Sequence, residues 1–131
     1  MPKVYVTKEF EFEAAHHLPN YEGACANVHG HSYKLQVTVS GRIDYHENSK
    51  YATDHMVIDF KNLKNVVKAS IINTHDHADL NNLYDCPTAE VMVVSMFDTI
   101  RKRLPNDVKL ESVKLWETST SFAEYRGEFN E

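Results

Sequence analysis

The sequence predicts an α+β fold in the order ββααββ: a four-stranded antiparallel sheet carrying two helices. Three observations predict it. Apolar and polar residues alternate, the period of a half-buried strand, in two long N-terminal segments and again near the C-terminus. Two central segments instead carry apolar residues at helical spacing. The 131 residues include only four glycines and four prolines and show no repeat, low-complexity run or linker, which suits one domain over 1–131.

The first strand is expected from Lys3 to Ala15. In "EFEFEAAHH" Glu9, Glu11 and Glu13 alternate with Phe10, Phe12 and Ala14, and His16 continues the apolar face. The three glutamates belong to a solvated or interface-facing side. The second strand runs from His29 to Arg42. Tyr33, Leu35, Val37 and Val39 face one way, and His29 and His31 share their parity. After the polar connection "DYHENSKYATDH", a helix from about Phe60 to Asn73 places Leu63, Val66, Val67 and Ile71 on one face. "THDHADLNNLYDCP" reads as a polar connection. The second helix starts near Thr88, an N-cap preceded by Pro87 and followed by Glu90 in the first turn, and runs to about Leu104. A third strand, Lys109 to Glu117, puts Val113, Leu115 and Glu117 on one face. A fourth, from about Phe122 to Gly127, follows a short turn and pairs with it antiparallel.

Charge and composition exclude several classes. A net charge of −5, from 14 basic and 19 acidic residues, argues against a general nucleic-acid binder. The N-terminus lacks a signal-length apolar core, and the most apolar run, "VMVVSMF", is too short to span a bilayer. A soluble, cytoplasmic protein without membrane contact is expected. In that compartment Cys25 and Cys86 are expected to be free thiols.

The eight histidines cluster unevenly. His29 and His31, at i and i+2 of a strand, project from one face and can converge on a single ion. Zinc takes about four ligands, three of them protein side chains at a catalytic centre. His16, ending the buried face of the neighbouring strand, is the natural third. Any one of these alone reads as a hydrogen-bonded core histidine; an HxH joined by a third same-face histidine reads as a metal site. Cys25, four residues before His29, stays open between a small buried hydrophobe, a base or nucleophile activated by a nearby cation, and a fourth ligand. "HDH" at His75–His77 is either a polar turn or an Asp-oriented imidazole for proton transfer. Glu117 either marks a binding site or shows that its strand has reached solvent.

The ordered set "FEAAHHLP", "CANVHGHSY", "VIDFKNLK", "HDHADLN", "CPTAE", "WET" and "YRGE" resembles the 6-pyruvoyl-tetrahydropterin synthase and 6-carboxytetrahydropterin synthase family over nearly the whole chain. The resemblance implies zinc held by His16, His29 and His31, with Cys25 as the catalytic base. It implies Asp76 and His77 as a proton relay. Glu117 would hold the pterin edge and join that relay, and Thr88 and Glu90 would help close the pterin pocket. It also implies the tunnelling fold, in which three subunits close a twelve-stranded barrel and two trimers stack as a homohexamer with sites at subunit interfaces.

The four-residue gap from Cys25 to the HGH and the "VIDF" run resemble the bacterial 6-carboxytetrahydropterin synthases of queuosine (7-deazapurine) biosynthesis. The implied reaction is the zinc-dependent conversion of 7,8-dihydroneopterin triphosphate to 6-carboxy-5,6,7,8-tetrahydropterin, with loss of triphosphate and acetaldehyde. The alternatives are 6-pyruvoyl-tetrahydropterin synthase and a zinc-stabilised binding module without turnover. Two positions depart from the family pattern: His75, where an apolar residue is commoner, and His55, where a glycine is usual.

Overall fold

The computed structural model describes residues 1–46 and 48–129; Glu47 of the first polar connection and residues 130–131 lie outside the described part. Strands β1 (Lys3–His16) and β2 (His29–Arg42) form one long antiparallel hairpin, in unbroken register from Lys3 opposite Arg42 to His16 opposite His29. The alternation sets this register. Phe10, Phe12, Ala14 and His16 from β1 and Tyr33, Leu35, Val37 and Val39 from β2 are all buried, while Glu9, Glu11 and Glu13 are exposed. A slip by one residue would turn each of these side chains to the wrong face.

The first helix is longer and less regular than its apolar stripe suggests. Helix α1 (Phe60–Val67) is capped by Asp59, whose carboxylate accepts the Lys61 N–H at 2.8 Å. It passes through a π-helical turn, Lys68–Ile72, into the short α2 (Asn73–His75). Ser70, Ile71 and Ile72 are buried in succession, which an α-helical stripe cannot achieve. The Ser70 hydroxyl bonds the Val66 carbonyl and the Thr74 hydroxyl bonds the Ile71 carbonyl, stabilising the widened turn. The same change of phase buries His75.

The chain then departs from the expected order. His77 adopts a left-handed conformation (φ 60°), and Ala78–Asp79 form a two-residue strand, β3, parallel to the end of β1. A 3-10 turn, Leu80–Asn82, follows, and then α3 (Ala89–Arg101), with the Thr88 hydroxyl accepting the Val91 N–H at 3.2 Å. Strands β4 (Lys109–Thr118) and β5 (Ser121–Tyr125) complete a five-stranded mixed sheet in the order β3-β1-β2-β4-β5. The four-stranded antiparallel sheet and the ββααββ order are therefore corrected. β3 intervenes between the helices and adds a parallel pair, and a strand of two residues has too few positions to display an alternation.

Both helices cover one face of the sheet. Leu63, Val67 and Ile71 join Met92, Val93, Met96 and Ile100 over Leu35, Val37, Val113 and Leu115. Each such side chain contributes about 1.5–3 kcal/mol when fully buried, so the sheet end nearest His16 is a firm platform. Among the described residues no helix is long and apolar enough to cross a membrane.

Candidate functional site

The hairpin register builds a cluster at one end of the sheet. His16 stands opposite His29, His31 follows two residues on along the same face, and Glu117 arrives from β4. One ligand atom from each of the four lies within 4.8 Å of every other. The imidazoles meet edge to face, with centroids 4.7–5.0 Å apart. Glu117 Oε1 is 3.3 Å from His16 Nε2 and 3.1 Å from His31 Nε2.

The remaining nitrogens are oriented by their neighbours. His29 Nδ1–H donates to the Asn27 carbonyl at 2.7 Å, which turns its Nε2 lone pair into the cluster, 3.1 Å from His16 Nε2. His16 Nδ1 lies 3.0 Å from the hydroxyl of Tyr33, itself only 1% exposed. Burial pushes His16 below its ordinary pKa; Glu117 opposes this, and His29 and His31 add to it. His31 is lowered for the same reasons, burial first, with Glu117 opposing and His29 adding. Both shifts favour the neutral imidazole, the form that offers a lone pair to a cation. His31 Nε2 is buried, and although Glu117 is within reach it is not aligned for a hydrogen bond. A buried acceptor without a donor, facing two other imidazoles and a carboxylate, is what a divalent cation completes. The donor set of three nitrogens and one oxygen fits zinc or a neighbouring first-row ion.

The other expected residues lie outside this four-residue group. Cys25 sits half-buried in a 3-10 turn, Ala24–Ala26, outside the four-residue group. Glu117, not Cys25, is the fourth group gathered with the three histidines. Cys86 is exposed and free. Asp76 pairs with His77, not with His75. Its Oδ2 is 3.1 Å from His77 Nδ1, and its Oδ1 accepts the Glu13 N–H at 3.0 Å. That backbone bond, with the adjacent imidazole, holds the Asp76 carboxyl below the usual range. His77 is largely exposed and shares an open groove of 380 Å³ with Glu13, Gly30, His31 and Ser32. Gly30 adds no side chain to that groove, and no close packing demands a glycine there: an added Cβ would sit 3.8 Å from the Ala14 carbonyl oxygen.

Thr88 uses its hydroxyl to cap α3, and Glu90 is exposed in the first turn. The Pro87 carbonyl, just before that cap, opposes the burial that lowers the His16 pKa. His75 is buried, with Nδ1 2.8 Å from the Ile71 carbonyl and Nε2 2.7 Å from the Tyr84 hydroxyl. Sequence reasoning passed over Tyr33 as a core residue. The available signal was its parity: it is the next same-face position after His31.

Fold and cluster together define an α+β protein with a candidate metal centre where its longest hairpin meets β4. The 6-pyruvoyl tetrahydropterin synthase family model matches residues 5–128, and the chain belongs to that family. It is 36% identical to the 6-carboxy-5,6,7,8-tetrahydropterin synthase of Haemophilus influenzae, over 92% of this chain and 97% of that one. It is also 36% identical to the dihydroneopterin monophosphate aldolase of Pyrococcus furiosus, over 88% and 90% of the two chains. Among solved structures, the 6-pyruvoyl tetrahydropterin synthase of Caenorhabditis elegans superposes with a TM-score of 0.83 at 27% identity, covering 98% of both chains. Enzymes of pterin synthesis are thus the company this chain keeps.

Proposed function

We propose that the chain, as one domain over 1–131, is a zinc-dependent lyase. It converts 7,8-dihydroneopterin triphosphate and one water to 6-carboxy-5,6,7,8-tetrahydropterin, acetaldehyde and triphosphate, in 7-deazapurine (queuosine) biosynthesis. The observation that carries this reading is the His16, His29, His31 and Glu117 cluster, with its oriented His29 and the unpartnered His31 nitrogen. His16, His29 and His31 would hold the ion, which supplies Lewis acidity toward the substrate's side-chain hydroxyls. Cys25, on its short 3-10 turn, takes up a proton as thiolate. His77, oriented by Asp76, returns protons from the groove it shares with His31. Glu117 accepts hydrogen bonds from the pterin ring N–H groups, and Thr88 and Glu90 border the pocket.

A homohexamer built as a dimer of trimers accompanies this reading, in the cytoplasm. Two features support the assembly. β3 pairs with β1 only at Ala14 and Ala15, and β5 ends the sheet, so both sheet edges offer backbone groups to another copy. The runner-up is 6-pyruvoyl-tetrahydropterin synthase, favoured by the C. elegans superposition.

Incubation of the purified protein with 7,8-dihydroneopterin triphosphate, followed by mass spectrometry, separates the readings. Acetaldehyde with a carboxypterin supports the first, and a pyruvoyl pterin supports the runner-up. No turnover, with unfolding on chelation, leaves a zinc-stabilised binding module. Cys25→Ala is expected to abolish turnover while zinc stays near one per chain; loss of zinc would return Cys25 to the ligand set.

A further inference from the structure

Strand β3 pairs with β1 only as far as Ala15, one residue short of His16. Beyond that point the backbone of β1 is held by a side chain. Asn81 Oδ1 accepts the His17 N–H at 2.9 Å, and Asn81 Nδ2 donates to the His17 carbonyl at 3.1 Å. A primary amide offers the same pair of groups as a peptide unit, so Asn81 continues the β3 ladder past the end of its backbone. Asn81 is itself firmly seated. It lies in the Leu80–Asn82 turn, its N–H donates to Asp79 Oδ1 at 3.1 Å, and the preceding Leu80 is fully buried.

From His17 the bonding runs in both directions along the chain. On one side stands His16. On the other, the Leu18 N–H donates to the Cys25 carbonyl at 2.8 Å, docking the Cys25 turn. That turn leads to Asn27, whose carbonyl orients His29. One amide therefore ties the core to two cluster histidines and to the cysteine, and both its carbonyl and an N–H are spent on His17. We propose that Asn81 is a positioning residue, clamping the junction between His16 and the Cys25 turn so that both keep their places. This rests on the roles given to His16 and Cys25 above.

The test uses the full chain in a Cys86→Ser background, with Asn81→Ala and Asn81→Asp. Asp keeps the acceptor for the His17 N–H but turns an oxygen toward the His17 carbonyl. Two quantities are read on folded protein, as judged by circular dichroism: the iodoacetamide alkylation rate of Cys25 without metal, and zinc affinity by competition with a chromophoric chelator. Alkylation is expected to rise severalfold in both variants as the turn opens locally. Zinc affinity is expected to fall about 10–100-fold, the range for losing an outer-shell contact. A merely structural role would lower the melting temperature and leave both readouts at parental values in the folded molecules; that result overturns the proposal.

If neither variant folds, hydrogen exchange at the Leu18 amide of the parent decides. Slow exchange is expected of a docked turn, and free exchange overturns the proposal. Should the parent itself bind no zinc, the metal reading falls, while alkylation and exchange still judge Asn81 independently.

Discussion

Tyr33→Phe removes one oxygen atom from the wall of the cluster. An imidazole that binds a cation through Nε2 carries its proton on Nδ1, and His16 Nδ1 lies 3.0 Å from the Tyr33 hydroxyl. The hydroxyl then accepts that proton and fixes the tautomer the ion needs. Phenylalanine keeps the ring, which stacks on Phe12 at 5.0 Å with an interplanar angle of 9°, so no large cavity is created. What is lost is the partner of a nitrogen on a residue 1% exposed. Leaving such a group unpaired costs about 1–3 kcal/mol. For a chain of this size, 2 kcal/mol corresponds to a melting temperature lower by about 7 °C. Zinc affinity should fall about 10–100-fold, equivalent to roughly 1.4–2.7 kcal/mol. Thermal melts in chelator read the first quantity, and chelator competition reads the second. A Tyr33→Phe protein with parental zinc affinity would refute the reasoning, because His16 would then need no acceptor at Nδ1.

Two further outcomes follow from the same geometry. Glu117→Gln keeps shape but removes charge, and should weaken pterin binding by about 1.5–3 kcal/mol, as for a hydrogen bond to a charged group. Calorimetry with a non-reactive pterin checks this, and unchanged binding removes Glu117 from the pocket. His75 is held below its ordinary value of 6.5 by burial, with the Ile71 carbonyl opposing. Below about pH 6.5 the unfolded chain binds a proton there that the folded chain refuses, so stability falls as pH drops from that value toward the folded pKa. Urea unfolding in chelator between pH 7.5 and 5, pH values spanning the ordinary histidine range, should show a flatter pH dependence for His75→Leu than for the parent. An equal slope would show that His75 is not the source.

Much of the site was legible because side-chain parity on a strand is strict. Phe10, Phe12 and Ala14 fix the face on which His16 must lie, and Tyr33, Leu35 and Val37 do the same for His29 and His31. Helical spacing likewise identified the buried stripe of Leu63, Val67 and Ile71. The π-helical turn, which buries His75, and the two-residue β3 were not legible. The first depends on a local gain from Ser70 and Thr74 bonding freed carbonyls, and the second on pairing with a strand distant in the chain.

The sequence by itself determined which residues share a face, since period and parity are properties of neighbouring positions. Tertiary structure alone decided which faces meet. It set His16 opposite His29 and brought the Glu117 carboxylate among the imidazoles. It also paired Asp76 with His77 beside Glu13 and placed the Asn81 amide on the backbone of His17. Those meetings join residues as far apart along the chain as His16 and Glu117. Only closure of the sheet and packing of the helices brings such residues together, and no local pattern encodes them.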